Sequence, residues 1–528
     1  MIETALGLSH AMTAPHRTAA KIGADVMEAG GTAIEAMVAA AAAIAVVYPH
    51  MNGIGGDGFW IIKRAGERPV GISACGAAAG LATPAWYARQ GITGALPTRG
   101  PLAALTVPGT IGGWQAALEI VPVARRMTLS ELLAPAIRLA RNGIAVSLNQ
   151  AQTTEEKLDG LKDVPGFAGI YLDHGAAPRA GARLVQTALG DTLAHLAENG
   201  LDAFYRGEIA AEHARFLEEQ GSPLRHEDFA ACRASTVRPL EIETSRGRLY
   251  NMIPPTQGMS SLAILGIFDR LGVTEGESFA HIHGLVEATK QAFLVRNAEL
   301  GDPRAMRRDP QGLLSDARLD AMAAAIDPER ALPWPQEAKA GDTIWMGAVD
   351  AEGTAVSFIQ SVFWEFGSGL TCPQTGVVFQ NRGAGFDLTP GPNQLAPGKT
   401  PFHTLNPALA ELRDGRVMAY GTMGGEGQPQ TQAAVFTRYA HFGVPLQQAV
   451  TAPRWLLGKT WGDDTTSLKL EGNMDPALVE ALAVAGHEVE TVPAFSSLMG
   501  HAGAVVRHPD GLCEAASDPR SDGAALAQ

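Results

Sequence analysis

The sequence predicts an α+β protein built around one large core, on three observations. Its 528 residues are 46% hydrophobic and 18% charged, a balance that excludes disordered and fibrous classes. Helix-forming stretches dominate as far as about Met322, whereas short β-prone runs separated by turn signals follow from Thr343 onward. No Ser/Pro-rich or charge-rich linker divides parts of different composition, so the chain reads as one large domain or two tightly fused halves.

From Ala19 to Val47 helix formers prevail, interrupted by Gly30-Gly31. Thr32 and Glu35 then supply a T-x-x-E capping box that starts a second helix. That second helix, Ala36 to Tyr48, is Ala-rich and too short to span a bilayer, so it reads as a buried core helix. GIGGDG (Gly53 to Gly58) and the β-prone run Phe59 to Ile62 follow it. The glycines match G-x-G-x-x-G, but dinucleotide binding needs a strand before the loop and a helix after it, and here both flanks are reversed. Such a loop is better explained by backbones passing too closely to admit a Cβ. The stretch Pro101 to Met322, with a helix at Leu129 to Asn142, reads as a helical layer. Beyond Thr343, strands are expected at Ile344 to Val349, Ala355 to Ser361 and Gly376 to Phe379, the first two joined by a turn at residues 350–353. The Gly/Pro-rich stretch Thr389 to Lys399 is a surface loop, either a connector or a lid.

A net charge of −14 and a pI near 5.5, with no Lys/Arg cluster to offset them, argue against nucleic acid or an anionic membrane as partner. Cys75, Cys232, Cys372 and Cys513 are far apart and form neither a CxxC pair nor a Cys/His ligand set, so they read as thiols in a reducing compartment. The N-terminal segment has no basic-then-apolar pattern of a secretory signal, and the expected location is cytoplasmic. No HExxH or comparable spacing is present, and no metal or cofactor is expected.

The segment Gly341 to Ser361 carries the chemistry. A Gly-Asp-Thr step opens a strand, a turn follows, and a second strand returns to Gln360-Ser361, so pairing of the two would bring Ser361 to Thr343. A threonine hydroxyl needs a base to become a nucleophile, and an α-amino group, with a pKa of about 7.7 to 8.0, is one. Cleavage after Asp342 would give Thr343 its own base. Taken alone, a threonine at a strand edge is ordinary.

Four ordered motifs add the missing context. Met27 to Ile62 resembles the Gly-Gly helix pair, Pro-His step and GIGG loop of the γ-glutamyltranspeptidase family of N-terminal nucleophile hydrolases. LTVPGTIGGW (Leu105 to Trp114) resembles its S-V-P-G-x-x-x-G-W stretch, GDTIWMGAVDAEGTAVSF its processing segment, and GTMGG (Gly421 to Gly425) its G-x-x-G-G turn. The resemblance covers nearly the whole chain. It implies a four-layer αββα sandwich and cleavage of the Asp342–Thr343 bond. Residues 1–342 and 343–528 would remain together as a heterodimer of one αββα domain, with further dimerisation left open. It also implies Thr343 as nucleophile in both self-cleavage and turnover, Ser361 as the hydroxyl that hydrogen-bonds it, and Gly424 and Gly425 as the oxyanion hole.

The sequence departs from the family at the pocket. CGAAA (Cys75 to Ala79) stands where γ-glutamyl enzymes carry R-E-T-A-P, so the arginine that holds the substrate α-carboxylate is missing. In QNRGAGF (Gln380 to Phe386), Gly385 replaces the aspartate that holds the α-amino group. Phe363 stands for an asparagine, and His403-Thr404 for a serine pair. Asn381 and Arg382 lie in the segment of substrate contacts, and Arg382 adds a planar cation suited to a carboxylate. These changes resemble the family's oxamate amidohydrolase branch, with a small acidic amide as substrate. A cephalosporin (glutaryl) acylase, a glutathione hydrolase or γ-glutamyltransferase, and an unprocessed binding scaffold are the alternatives. Two further readings of single residues stay open. His403 is either a substrate contact or a structural histidine, and Arg382 either a substrate contact or an ion-pair partner. Asp57 and Glu426 read as acids that order the Gly-rich loops.

Overall fold

The computed structural model describes residues 3–334, 342–458 and 466–528; Gly341 and the side chain of Asp342, both next to the expected processing bond, lie outside the described residues. Two seven-stranded sheets, antiparallel throughout, form its centre. The first runs in spatial order Ala5–Gly7, Cys513–Ser517, Ala502–Arg507, Val417–Thr422, Ala408–Leu412, Gly247–Asn251, Leu240–Thr244. The second runs Ala524–Ala527, Ala11–Ala14, Asp342–Val349, Ala355–Phe363, Asp57–Lys63, Val70–Ala74, Ser235–Val237.

Strand side chains alternate between faces, and that alternation sorts the apolar residues into three stacked cores. Phe59, Ile61, Trp345 and Ile359 of the second sheet meet Tyr250, Leu409, Ala419 and Val505 of the first, and close the space between the sheets. Their neighbours Trp60, Ile62, Ile344, Met346 and Phe358 point the other way, into a core shared with the helices Arg17–Glu28, Ala33–Val47 and Leu129–Asn142. On the far side Leu249, Ala410, Met418 and Val506 pack on the helices Gly258–Leu271 and Phe279–Glu299. Three cores between four layers make the αββα sandwich that was expected.

The Thr32/Glu35 capping box is formed, and every residue of Ala33–Val47 is buried. Among the described residues no helix is long and apolar enough to cross a membrane. Two expectations are corrected. Gly376 to Phe379 is not a strand: Gly376 takes φ +67° in a turn closed by Cys372 N–H to Val377 O, which leaves only a bridge between Thr371 and Val378. The stretch Pro101 to Met322 is not purely helical. It gives one edge strand to the second sheet and two strands to the first, Ser235–Val237, Leu240–Thr244 and Gly247–Asn251, whose short β-prone runs are masked by flanking helices.

Candidate functional site

Thr343 sits where the sheet is irregular. Its strand Asp342–Val349 pairs with Ala355–Phe363, but Asp342 lies opposite Phe363 and Ile344 opposite Gln360, so Thr343 alone faces both Ser361 and Val362. Such a bulge bends the ladder and re-aims side chains. Thr343 is fully buried, and Gln428 Nε2 approaches its Oγ1 at 3.5 Å. On its other side Ser361 pairs with Asp57. The Ser361 hydroxyl accepts the Phe363 N–H at 2.7 Å, and Phe363 holds a left-handed φ of +83°. A bulky residue there is strained, and it persists only where its surroundings dictate it.

The glycine loop is packed too tightly for a side chain at two positions. A Cβ on Gly55 would lie 1.9 Å from Val378 O, and one on Gly56 2.0 Å from Ser361 O. Close backbone passage, as expected, is thus the reason for Gly55 and Gly56 in GIGGDG. The loop ends in Asp57, whose Oδ1 accepts from Gly76 N–H and Gly109 N–H at 3.0 Å each and from Gln380 Nε2 at 3.1 Å. Asp57 therefore orders loops, as read from sequence, and stitches three distant segments beneath the bulge. Glu426 pairs with Arg296 at 3.1 Å, both buried.

Residues 380–386 run beside the bulge, since Asn381 N–H donates to Val362 O. The Asn381 side chain is committed to the backbone: Nδ2 donates to Thr98 O at 2.8 Å and Oδ1 accepts from Trp364 N–H at 3.0 Å. Arg382 differs. Its guanidinium lies 3.9 Å over the Phe363 ring, is 1% exposed, and has an Nη2 without a hydrogen-bond partner. No ion pair holds it among the described residues. Burial pushes its pKa down to about 9, with Asp57 pulling the other way, so it is still a cation at neutral pH.

His403 and Thr404 are both buried. His403 Nε2 stands 3.3 Å from Asp57 Oδ2, yet neither ring nitrogen makes a hydrogen bond, nor does the buried Thr404 Oγ1. Burial, and then Arg382, push the imidazole down to about 4 against the pull of Asp57, so it is neutral at pH 7. Main-chain bonds fix this segment, His403 N–H to Pro255 O and Gln257 N–H to His403 O.

Gly424 and Gly425, with φ of +113° and +53°, turn the chain into helix Gln428–Phe436. Gln257 Nε2 donates to both Gly425 O and Thr404 O at 2.8 Å, joining this turn to the pocket. Asn406 Nδ2 in turn donates to Thr404 O and to Gln428 Oε1. Gln257, Asn406 and Gln428 were missed from sequence. The available signal was GQPQTQ, whose three glutamines at alternate positions are all buried on one short helix. The loop Thr389 to Lys399 walls a cavity of about 200 Å³ with Pro392 and Asn393, facing Glu426 and Phe402. Asn393 Oδ1 accepts from Phe402 N–H, which ties the loop to the segment carrying His403.

Elsewhere His283, Glu287 and His487 lie close enough to hold a metal ion. The place is occupied by other bonds: Lys290 Nζ is 2.6 Å from Glu287 Oε1, and His283 Nδ1 is 2.9 Å from His487 Nε2. The four cysteines are free thiols, and burial raises Cys75 far above the usual range.

Comparison with known proteins fits this geometry. The chain is 53% identical to the oxamate amidohydrolase proenzyme of Klebsiella pneumoniae over 98% of both chains. It is 38% identical to a glutathione hydrolase-like proenzyme of Bacillus subtilis over 100% of both. Its fold matches the crystal structure of cephalosporin acylase from Bacillus halodurans with a TM-score of 0.92 at 30% identity, covering 100% of this chain and 97% of that one. The profile described as Gamma-glutamyltranspeptidase matches residues 19–528, and the chain belongs to the γ-glutamyltranspeptidase family.

Proposed function

We propose that this protein is an autoprocessing N-terminal nucleophile amidohydrolase that acts on a small acidic amide, with oxamate, hydrolysed to oxalate and ammonia, as the favoured substrate. Cleavage between Asp342 and Thr343 yields residues 1–342 and 343–528, which stay associated through the shared sheets. The freed α-amino group takes the proton from Thr343 Oγ1, and the alkoxide attacks the amide carbon. Ammonia leaves with that proton, and water then hydrolyses the acyl-enzyme. Ser361 orients the nucleophile across the bulge, and the turn at Gly424 and Gly425 offers N–H groups to the oxyanion.

The observation that carries the substrate class is Arg382. A buried guanidinium with an unpartnered nitrogen costs several kcal/mol unless a ligand anion completes it, and a carboxylate does so. His403, close enough for Arg382 to lower its pKa, and the adjacent Thr404 Oγ1 add unpartnered buried polar atoms. Gly385 leaves no side chain where an α-ammonium would need an acid, which favours an acyl group without an amino substituent. The similarity to proteins named as proenzymes supports processing, and the free thiols support a cytoplasmic site. A longer dicarboxylic acyl group is the second reading, favoured by the likeness to cephalosporin acylase.

Intact mass of wild type beside Thr343→Ala tests the processing. Two fragments meeting at 342/343 in wild type alone are expected. Ammonia release from oxamate, beside anilide release from γ-glutamyl and glutaryl substrates, tests the acyl group. An uncut wild-type chain, or equal activity in both forms, refutes the assignment of Thr343.

A further inference from the structure

The mechanism leaves Asp57 unused and assigns the side chain of His403 no particular substrate group. One oxygen of the Asp57 carboxylate is saturated by three donors, while the other faces only His403 Nε2 at 3.3 Å. His403 is 0% exposed; its Nε2 has only the Asp57 oxygen within reach, while its Nδ1 and the neighbouring Thr404 hydroxyl have no partner. Buried polar atoms nearly always find partners, so the unpartnered His403 Nδ1 and Thr404 Oγ1, on adjacent residues next to Asp57 and Arg382, mark where a ligand makes the missing bonds.

From this arrangement we propose that Asp57 is a positioning residue that fixes His403 with Nε2–H toward its carboxylate, so that Nδ1 accepts a hydrogen bond from the unsubstituted amide nitrogen of the substrate. The inference rests on the acidic-amide reading above and adds the other half of recognition. Arg382 reads the carboxylate, and His403 reads the –NH2 group. A carboxylate on one ring nitrogen selects the tautomer that leaves a lone pair on the other. The imidazole is neutral at pH 7, so that lone pair is available. The ring itself is held edge-on by Phe59 at 5.0 Å and by main-chain bonds on both sides of residue 403. A primary amide satisfies Nδ1 with an N–H. An N,N-dialkyl amide has none and leaves a buried acceptor unpaired, which costs about 10- to 100-fold in kcat/KM.

The first test uses the wild-type protein: kcat/KM for oxamate, N-methyloxamate and N,N-dimethyloxamate, read by release of ammonia or amine. A preference of at least tenfold for oxamate over the dimethyl compound is expected. In His403→Phe that preference should collapse toward unity, and in His403→Asn, which returns an acceptor near Nδ1, it should largely recover. Asp57→Asn keeps an oxygen for Gly76, Gly109 and Gln380 but turns an amide donor toward His403, which reverses the tautomer. Its loss should appear in KM for oxamate and in the preference. Wild-type turnover of oxamate and dimethyloxamate within threefold overturns this inference alone. A preference unchanged in His403→Phe also overturns it. Failure to turn over any acidic amide overturns the acidic-amide reading and this inference with it.

Discussion

Replacing Arg382 by methionine separates a structural from a functional guanidinium, because the two roles predict opposite signs for stability. Methionine keeps the length and the contact with Phe363 but removes the charge. In the free protein the guanidinium makes no ion pair among the described residues and leaves Nη2 unbonded, so its burial costs several kcal/mol and the Phe363 ring returns only about 2 kcal/mol. The variant should therefore melt at or above the wild-type temperature. With substrate bound, a charge-assisted contact to the carboxylate is lost, worth about 3 kcal/mol, or roughly 100-fold in kcat/KM. Since the carboxylate takes no part in bond making, the loss should fall mainly on KM. Calorimetric melting and steady-state kinetics on oxamate, run on the same cleaved preparation, decide the matter. A Tm several degrees lower with kcat/KM within threefold of wild type refutes the assignment and makes Arg382 a structural cation.

Gly56→Ala should block folding or self-cleavage, because its Cβ would fall 2.0 Å from Ser361 O, between two main chains; Gly94→Ala, with open space around it, should match wild type by intact mass and Tm. Gly424→Ala should lower kcat at least tenfold with little change in KM, since φ +113° is strained for alanine by about 1–3 kcal/mol and its Cβ would meet Gly500 Cα at 3.3 Å. Acid should destabilise the fold below pH 6.5. His403 and His501 are held near 4 and His50 and His213 near 3, so between pH 6.5 and those values the unfolded chain binds more protons and stability falls as pH falls. The drop from 6.5 to about 4 at His403 alone is worth about 3 kcal/mol, so urea midpoints should decline steadily from pH 7 to pH 4.5. A flat profile there would mean that these histidines are not buried as neutral rings.

Local physics made much of the fold legible. The capping box at Thr32, the helix Leu129–Asn142 and the hairpin across residues 350–353 depend on neighbours within a few positions, and the structure has each of them. The layer order rested on resemblance, because alternation along Asp57–Lys63 does not say which face meets another sheet and which meets helices. Residues 376–379 were misread because Gly376 turns a β-prone run back on itself against the helix Thr187–Asn199, where a Cβ would meet Leu189 N at 2.5 Å. The strands at residues 235–251 were missed because they are short and enclosed by helical stretches; two of them form a local hairpin, Leu240–Thr244 with Gly247–Asn251, while Ser235–Val237 and Gly247–Asn251 also pair with the distant Val70–Ala74 and Ala408–Leu412.

Site geometry was harder to read for a related reason. A sequence names the groups a pocket contains but not which of their bonds are already used. Asn381 and Arg382 are adjacent and equally polar on paper, yet the first has its amide tied to Thr98 and Trp364 while the second is left without a partner. Asp57 looked like a loop acid and is one, through one oxygen only; the other faces His403 across 3.3 Å. The residues with incomplete bonding at the site are Asp57, at the head of its strand, and residues 382 and 403–404, and the bulge at Thr343, the proposed nucleophile, is where the second sheet brings such segments together. Substrate preference in this scaffold should therefore change most readily at positions such as 382, 385 and 403. The bulge, the glycine loop and the Gly424–Gly425 turn, each fixed by backbone contacts that admit no added atom or by a left-handed φ, should tolerate almost nothing.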